Sequence, residues 1–386
     1  MKISFIVSGA HSWQGSFTYI KGLAQALKFS YKDGIEVSFI ISSKDVPTEL
    51  KETGINTVSL PSFPRGTPLW AIEGTIKHLF SYDIRGFLKY KQLKTDVLFG
   101  HVVQHRNGSI PTLSWIPDLQ HVHLPEMFEP SERRWRNRVF LKTAKISSRI
   151  VLMSDAVEKD FKLFAPKYAH KARVIKTVSF IPESVYDIDS KCVSLQYHLP
   201  ERFIYLPNRF WRHKNHELVF RVLRQLKDEG IKVFIVCSGY PGDRRYPNHF
   251  SDLLQKISVW GIRDQVAILG VIPREHIFPL MRQSVCVINP SLFEGLGLTV
   301  NEAWSLGKRV ILSDIPAHRD QNPPQATFFN PYSEEDIAFR LKEMWLNIPP
   351  GPDNELEEKA RQDLPVRLNE CAGSFLSVTR EVTDVK

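Results

Sequence analysis

The stretch that decides the fold is Asn289-Pro290-Ser291-Leu292-Phe293-Glu294-Gly295-Leu296-Gly297-Leu298-Thr299-Val300-Asn301-Glu302-Ala303. It follows an apolar run at 285–288, typical of a buried strand, and passes through two glycines into a helical pattern that stops near Gly307. A helix that begins after such a turn presents N–H groups and the positive end of its dipole, which attract anions. Glu294 and Glu302 flank the turn, and carboxylates accept hydrogen bonds from hydroxyl groups. The stretch therefore predicts a site for a ligand with both phosphate and hydroxyls, such as a nucleotide sugar.

Two other interpretations of this stretch were weighed. An ordinary turn between a strand and a helix of an α/β protein would show the same apolar pattern without any ligand. The dinucleotide-binding fingerprint G-x-G-x-x-G is excluded, because its third glycine would fall on Val300.

Strand and helix patterns alternate along both halves of the chain. The strands predicted in the first half are Ile3–Val7, Glu36–Ile41, Asn56–Leu60, Asp96–Gly100, Thr112–Ile116, Ile150–Met153 and Arg173–Thr177. Those predicted in the second half are Phe203–Leu206, Lys232–Cys237, Val266–Leu269, Val285–Asn289 and Arg309–Leu312. The main predicted helices cover 17–29, 69–94, 132–148, 155–164, 215–229, 248–259, 274–283, 298–306, 333–346 and 366–382. This alternation predicts doubly wound parallel sheets, which bind ligands beyond the carboxyl ends of their strands.

Length and composition limit the class of protein. The 386 residues suit two domains, and the weakly periodic region 179–201 places a boundary near residue 185. No apolar run is long enough to span a bilayer, and the first residues are interpreted as a strand rather than a signal peptide. The four cysteines lack metal-site spacing, which favours packed thiols in a reducing compartment and hence a cytoplasmic location.

The positive charge lies in the first half of the chain. Residues 1–185 hold 26 Lys and Arg against 16 Asp and Glu, a net charge of +10. The net charge of the whole chain is +9, so the second half is close to neutral. The helix predicted at 132–148 carries many of these basic residues, with Trp135 among them. A basic face indicates an anionic partner, and a phospholipid surface, a lipid-linked phosphate and a nucleic acid all remain open. A plain solvated helix face is the remaining alternative.

The spacing Glu294-x7-Glu302, with Gly-x-Gly between the two acids and Pro290-Ser291 before them, resembles the Glu-x7-Glu motif of the retaining family-4 glycosyltransferases. The resemblance implies a GT-B fold, with two Rossmann-like doubly wound parallel-sheet domains and a cleft between them. It implies an acceptor-binding domain at 1–185, a nucleotide-sugar-binding domain at 186–365 and a final helix at 366–386 that crosses back to the first domain. In this family the first Glu contacts the donor sugar and the second contacts the ribose.

A second resemblance concerns the loop after the strand at 203–206. Arg209 and Lys214 keep the spacing of the family's Arg-x4-Lys pair, which binds the donor diphosphate. A guanidinium fork and an ammonium can hold a diphosphate without a metal or other cofactor. Ile272 falls where the family contacts the base. The turn residues expected to bind donor are Gly295, Gly297, Leu298 and Thr299.

The first domain supplies the expected acceptor side. Gly15 lies in a loop after the first strand that partly resembles the family's glycine loop. Asp118 lies in a segment that resembles one in which the family carries a histidine near the reacting sugar, but that histidine falls on Pro117 here. Asp118, His121 and His123 are therefore the candidates for the acceptor side, and Asp118 or His121 would act as general base.

Other roles for these side chains remain open. A core or capping role is the alternative for His121 and His123, and a metal site with His101 and His105 is another. The triplet Asp187-Ile188-Asp189, which resembles a metal-binding D-x-D motif, lies in a linker and is interpreted as accidental.

The predicted reaction is transfer of a sugar from a nucleoside diphosphate sugar to a glycan or lipid-linked glycan acceptor, with retention. The expected context is synthesis of a bacterial surface polysaccharide, such as O-antigen or capsule, at the inner face of the cytoplasmic membrane. A sugar-nucleotide epimerase or a phosphorylase on the same fold is one alternative, and a basic nucleic-acid-binding protein is another. No nucleic-acid motif supports the latter.

Overall fold

The chain forms two compact units, each built on one parallel sheet. The computed structural model describes residues 1–7, 14–31 and 34–384. Unit 1 comprises Met1–Val178 and Pro365–Lys386, and unit 2 comprises Ser179–Leu364. The position near residue 185, where we expected the boundary, falls on a short helix of unit 2.

The sheet of unit 1 has seven strands, all paired in parallel. They are β1 (Lys2–Val7), β2 (Glu36–Ile41), β3 (Asn56–Ser59), β4 (Val97–His101), β5 (Thr112–Trp115), β6 (Arg149–Leu152) and β7 (Ala172–Val174). Their order is β3-β2-β1-β4-β5-β6-β7. Phe5 of β1 lies between Phe39 of β2 and Phe99 of β4, and all three side chains are fully buried. Because both faces of the sheet are covered by helices, the strands are almost continuously apolar.

The helices of unit 1 differ from prediction in the region 69–94 and in two short helices, at 48–51 and 120–123, which were not predicted. They are α1 (Gln14–Ser30), α2 (Thr48–Lys51), α3 (Pro68–Phe80), α4 (Ile84–Gln92), α5 (Gln120–His123), α6 (Pro130–Ile146) and α7 (Asp155–Phe164). The single helix predicted at 69–94 was wrong. Ser81 adopts the left-handed conformation (φ 50°) and ends α3, and the Asp83 carboxylate accepts a hydrogen bond from Gly86 N (3.0 Å) to begin α4. The predicted capping of α7 by Ser154 is confirmed by its hydrogen bond from Val157 N.

Unit 2 has a six-stranded parallel sheet. Its strands are β8 (Ile204–Leu206), β9 (Ile235–Cys237), β10 (Val266–Ile268), β11 (Val287–Asn289), β12 (Val310–Ser313) and β13 (Ala326–Phe329). Their order is β10-β9-β8-β11-β12-β13. The order along the chain runs outward from β8 to β10, then returns to β11 on the other side of β8. The boundary between β8 and β11 is therefore the switch point at which open α/β sheets bind ligands.

The helices of unit 2 include several that the sequence pattern did not indicate. They are α8 (Ser184–Asp187), α9 (Ser190–Gln196), α10 (His216–Asp228), α11 (His249–Val259), α12 (Arg274–Gln283), α13 (Leu298–Ser305), α14 (Pro316–Gln321) and α15 (Glu334–Asn347). We did not predict α8, α9, α14 or β13, because each is too short to show a period. The Asp189 carboxylate caps α9 by accepting from Lys191 N (2.8 Å), so this acid of the D-x-D triplet has a structural task.

The last helix, α16 (Asn354–Thr383), is divided between the two units. Its residues up to Leu364 belong to unit 2, and those from Pro365 onward belong to unit 1. It begins earlier than the predicted start at 366. In unit 1 its buried Phe375 stacks on Phe5 with ring centroids 5.5 Å apart and meets Phe99 edge-on at 5.3 Å. Near its end, Glu381 pairs with Arg149 at 2.9 Å and Arg173 at 2.7 Å. The final turns of the chain are thus part of the core of unit 1.

Replacement of Phe375 by Ala should destabilise unit 1 strongly. Loss of a fully buried ring leaves a cavity and costs about 3–5 kcal/mol in the free energy of unfolding. Urea unfolding followed by circular dichroism would measure this loss. Val366→Ala is the matched control, because Val366 lies on the same helix and is exposed. Equal stability of the two variants would contradict the packing of α16 described above.

Candidate functional site

The side chains at the switch point of unit 2 come from two neighbouring strand ends. The loop 207–215 follows β8, and the loop 290–297 follows β11. Because β8 and β11 are paired in parallel, both loops leave the same edge of the sheet. A hydrogen bond from Leu292 N to His213 O (2.8 Å) joins the loops directly.

An ion pair lies at the centre of this site. Lys214 Nζ donates to Glu294 Oε1 at 2.5 Å, and Ser291 Oγ donates to the same oxygen at 2.7 Å. The two charged side chains are only 14% and 11% exposed. Burial alone would raise the pKa of the Glu294 carboxyl, but the neighbouring Lys214 ammonium outweighs it, and the pKa falls to about 2. Glu294 is therefore ionised at neutral pH and can accept hydrogen bonds from hydroxyl groups.

Two buried amides hold the loops around this pair. Asn289 Oδ1 accepts from Asn208 Nδ2 (3.2 Å) and lies 2.6 Å from Ser291 Oγ. Asn208 Oδ1 in turn lies 3.4 Å from the Thr299 hydroxyl, at the start of α13. Sequence reasoning missed Asn208 as a site residue. Its position between Pro207 and Arg209 was the available signal, but that signal did not show which way the amide points.

The glycine turn is held from one side by α14. Gly297 has φ 89° and caps α13, a conformation that favours glycine. A Cβ at Gly297 would lie 3.4 Å from both His318 and Gln321, and Gln321 Nε2 donates to Gly297 O at 3.2 Å. The next residues, Leu298 and Thr299, begin α13. The backbone N–H groups in the first turn of a helix have no acceptor within the helix. This is the arrangement expected of a binding site for an anion.

Three buried histidines surround the ion pair without adding charge. Burial, followed by the Lys214 ammonium, lowers the pKa of His213 to about 3. Burial, with His249 and Lys214 next in effect, lowers the pKa of His216 to about 3. Burial also lowers the pKa of His318, whose Nδ1 lies 2.8 Å from Ser313 O. These imidazoles are neutral at physiological pH, so they pack beside Lys214 without repelling it.

A second ion pair lies one turn along α13. The buried Glu302 carboxylate accepts a hydrogen bond from Arg274, the first residue of α12. Glu302 is 6% exposed through its side chain and Arg274 is 49% exposed, so the pair extends from the core towards solvent. Ile272, two residues before Arg274, is partly buried in the loop after β10. Arg274 was missed by sequence reasoning, since a lone Arg at a helix start carries no distinctive pattern.

Arg209 lies on the same β8 loop as Lys214 but has different contacts. Its guanidinium is 5.3 Å from the centre of the Trp211 ring, in a cation–π arrangement. The side chain is partly buried. Gly295 is part of the turn between Glu294 and Gly297. The structure thus gathers the predicted donor residues of unit 2 along the β8 loop, the glycine turn and the first turn of α13.

The predicted acceptor residues of unit 1 do not converge on one point. Asp118 Oδ1 accepts from Arg136 Nη2 at 2.8 Å and from Gln120 N at 3.0 Å. His123 Nε2 lies 2.8 Å from Asp160, with its side chain 45% exposed.

His121 is in the core and is 2% exposed, which argues against its predicted role as a general base. Its Nε2 is 2.8 Å from Asn137 Oδ1, and its ring packs edge-on against Phe128, Phe140 and Phe164. Burial, together with the Arg136 charge, lowers its pKa. An imidazole enclosed by three aromatic rings has no path to an acceptor hydroxyl.

His101 is the residue of unit 1 that the sequence argument underrated. It ends β4, beside Trp115 of β5, and Asp118 follows β5. Burial lowers its pKa to about 4, with opposing effects from Asp118 and Arg136. The group His101, Asp118 and Arg136 therefore occupies the carboxyl end of two adjacent strands.

Gly15 lies near the start of α1, whereas Ser8–Trp13 of the same predicted loop fall outside the described residues.

Comparisons with known proteins show similarity to glycosyltransferases. Residues 194–363 match the family model of the glycosyl transferases group 1. The chain is 22% identical over 354 residues to the O-antigen chain mannosyltransferase RfbU of Salmonella typhimurium, with 90% of this chain and 89% of the relative covered.

Two solved structures extend the likeness to the whole fold. Alr3699/HepE of Anabaena in complex with UDP and glucose has a TM-score of 0.69 at 17% identity, covering 98% of this chain and 99% of that chain. A glycosyltransferase from Rickettsia africae has a TM-score of 0.65 at 18% identity, covering 99% and 98%. The α/β fold predicted from the sequence is confirmed: the chain has the fold of these glycosyltransferases, and residues 194–363 resemble the glycosyl transferases group 1.

Proposed function

We propose that the enzyme transfers a glycosyl group from a nucleoside diphosphate sugar to a hydroxyl of a glycan or lipid-linked glycan, in the assembly of a bacterial surface polysaccharide. The observation that carries the donor assignment is the buried Lys214–Glu294 pair beside the first turn of α13. Lys214 and the amides of the first turn of α13 can bind phosphate, and the Glu294 carboxylate can accept hydrogen bonds from sugar hydroxyls. The likeness to RfbU, an O-antigen chain mannosyltransferase, supports the acceptor class.

The donor would lie across the switch point of unit 2. Its diphosphate would contact Lys214, Arg209 and the amides at Leu298 and Thr299. An ammonium has three N–H donors, so Lys214 can keep Glu294 in place with one and bind a phosphate oxygen with another. HepE, a structural neighbour, was solved with UDP and glucose bound, which supports a nucleotide sugar as donor.

Charge drives the proposed chemistry. When the bond between the anomeric carbon and the diphosphate breaks, negative charge builds up on the diphosphate. Lys214, Arg209 and the start of α13 are already oriented to stabilise that charge, which is electrostatic preorganisation. We propose that this arrangement needs no metal ion. Ionised Glu294 would orient the sugar hydroxyls, and retention of configuration follows from the family-4 resemblance.

The nucleoside would be held by the second ion pair. Glu302 would accept hydrogen bonds from the ribose hydroxyls while Arg274 holds the carboxylate in place. Backbone atoms near Ile272 would contact the base.

On the acceptor side, Asp118 remains our candidate for the general base, because its side chain is 23% exposed at the end of a strand. His101 is its neighbour there, and His123 would contribute only to binding.

We place the enzyme in the cytoplasm, attached peripherally to the inner face of the membrane. The net charge of +10 in residues 1–185 supports an anionic surface as partner. Within the described residues, every helix is too short or too polar to cross a bilayer.

Nucleotides should raise the melting temperature of the protein. A ligand that binds only the folded state stabilises it by mass action, by about 2.7 kcal/mol at a hundredfold excess over Kd. Differential scanning fluorimetry with UDP, GDP, dTDP, ADP and CMP would identify the donor base, with NAD as control. The absence of a shift with every nucleotide would refute the donor site.

Replacement of Glu294 by Gln or of Lys214 by Ala should each lower kcat/KM by at least about a hundredfold, since each removes a charge that acts on the reacting donor. Each also leaves the other charge buried and unpaired, which costs about 3–5 kcal/mol of stability. Assays at low temperature, with the folded fraction checked by circular dichroism, separate the two effects.

Asp314→Asn is the matched control for these variants. It breaks an exposed ion pair with Arg319 (2.6 Å) at the end of β12, on the same edge of the sheet. This variant should keep near wild-type activity. Activity within threefold of wild type in both Glu294→Gln and Lys214→Ala would overturn the site.

Glu302→Gln should reduce the preference of the enzyme for a nucleotide with ribose hydroxyls over one that lacks them. The wild type is expected to bind the preferred nucleoside diphosphate about ten- to a hundredfold more tightly than its 2′,3′-dideoxy form, because hydrogen bonds to a charged acceptor are worth about 1.5–3 kcal/mol. Isothermal titration of both nucleotides would measure the ratio. An unchanged ratio in Glu302→Gln would show that the ribose lies elsewhere.

A further inference from the structure

Helix α3 of unit 1 exposes several large apolar side chains to water. None of the side chains of α3 is buried. Four of its apolar residues are largely exposed: Leu69 (56%), Ile72 (56%), Leu79 (66%) and Phe80 (70%). Their spacing places them on one face of the helix, together with Ile76.

The charged residues of α3 are the more sheltered ones. Glu73 is 16% exposed and Lys77 is 30% exposed through their side chains. Glu73 pairs with Lys77 at 2.7 Å and with Arg85 of α4 at 3.8 Å, and Lys77 also pairs with Asp83 at 3.3 Å. The helix is therefore attached to unit 1 by ion pairs, while Leu69, Ile72, Leu79 and Phe80 remain exposed and only Ile76 of the apolar face is partly buried. A soluble surface rarely leaves such a patch uncovered unless it binds something.

The apolar face continues onto the next helix. Ile84 (43%) and Leu88 (60%) of α4 lie four residues apart on one face, and Lys91 follows on that face. Ser81 and Tyr82, between α3 and α4, are joined to the loop after β4. Arg106 N donates to Ser81 O at 2.7 Å, and Asp83 N donates to Arg106 O at 2.9 Å. The exposed Arg106 thus lies beside the end of α3.

Helix α6, which carries further exposed basic residues, ends beside the loop of Arg106, because its Ile146 lines one cavity with His105 and Arg106. His105, next to Arg106, is close enough to both Lys142 of α6 and Lys77 of α3 for each ammonium to lower its pKa, after the larger effect of burial. The exposed stripe of α6 consists of Arg134, Arg138, Leu141 and Lys145, with the exposed Trp135 beside it. An apolar helix face is therefore accompanied by a row of cations.

We propose that this surface, formed by the exposed residues of α3, α4 and α6 together with Arg106, docks on an anionic phospholipid bilayer, with the apolar face of α3 inserted among the headgroups. An interfacial helix combines these two features, apolar side chains on one face and Lys or Arg nearby. Basic residues near an anionic bilayer add attraction that salt screens.

Other occupants fit the charges less well. A second copy of this chain would bring its own Arg134, Arg138 and Lys145 towards the same cations. A nucleic acid would neutralise the cations but leave the apolar side chains of α3 uncovered. An anionic lipid bilayer would both neutralise the cations and cover the apolar side chains of α3. The proposal concerns a surface apart from the donor site of unit 2, so it does not depend on the donor assignment.

Vesicle flotation with the full-length protein tests the proposal. Vesicles of phosphatidylcholine with 40% phosphatidylglycerol, a composition chosen for about physiological charge density, should bind the protein, and pure phosphatidylcholine should bind it far less. The variant Ile72→Ser/Leu79→Ser/Phe80→Ser should bind the anionic vesicles at least about tenfold more weakly, because three apolar side chains no longer enter the bilayer. These side chains are exposed, so folding should be unaffected.

A matched control removes the same number of exposed apolar groups from unit 2. Val259, Phe339 and Leu346 are 72%, 59% and 60% exposed, and their replacement by Ser should leave vesicle binding unchanged. The charge part is tested by Arg134→Gln/Arg138→Gln/Lys145→Gln, which should weaken binding and flatten its dependence on salt.

Each outcome decides the question. Binding that is equal in wild type and the α3 variant would overturn the proposal, as would equal binding to neutral and anionic vesicles. A wild type that does not bind vesicles but is dimeric by light scattering, with a monomeric α3 variant, would identify a self-association surface instead. A normal nucleotide-induced melting shift in the α3 variant would show that failure here leaves the donor site intact.

Discussion

The proposed donor site depends on an ion pair that would be unfavourable in isolation. Removal of an ammonium and a carboxylate from water costs several kcal/mol per ion, and mutual attraction offsets this only when geometry and further hydrogen bonds are good. Around Lys214 and Glu294 both conditions hold: the two groups are 2.5 Å apart, and Ser291 adds a second hydrogen bond to the carboxylate. The pair keeps a cation and an ionised acid in a water-poor place, where each acts strongly on a charged ligand.

The rest of unit 2 can be understood as support for that pair. The parallel pairing of β8 with β11 brings the two loops to one edge, and Asn208 and Asn289 link them through buried amides. The neutral state of His213 prevents a second positive charge next to Lys214. On the other side, α14 holds the Gly297 turn in its left-handed conformation through Gln321.

Unit 1 meets a different constraint. Its core is a stack of aromatic rings on β1, β2 and β4, completed by Phe375 from the end of the chain. With that core closed, the exposed apolar face of α3 is not needed for folding. Charged groups of α3 are held by ion pairs at the helix's inner side, and the outward face is left for a partner. We propose that the exposed basic residues of α6 and the exposed apolar groups of α3 form one surface.

Much of this molecule followed from sequence alone, because the signals were local. Apolar runs between turn residues located most strands to within one or two residues, and their alternation with helices required parallel sheets. The glycine turn between Glu294 and Glu302, with Arg209 and Lys214 in another loop, predicted the donor side, and residues 194–363 match the family model of the glycosyl transferases group 1.

Only the tertiary structure decided the contacts between distant residues. No local pattern showed that Lys214 reaches Glu294, that Arg274 reaches Glu302 or that Gln321 holds Gly297, since each pair is brought together by strand order. The burial of His121 was not predicted for the same reason: the rings that enclose it come from α6 and α7 and from Phe128. Polarity and spacing are properties of the chain itself, whereas burial and pKa depend on what the fold places beside a side chain.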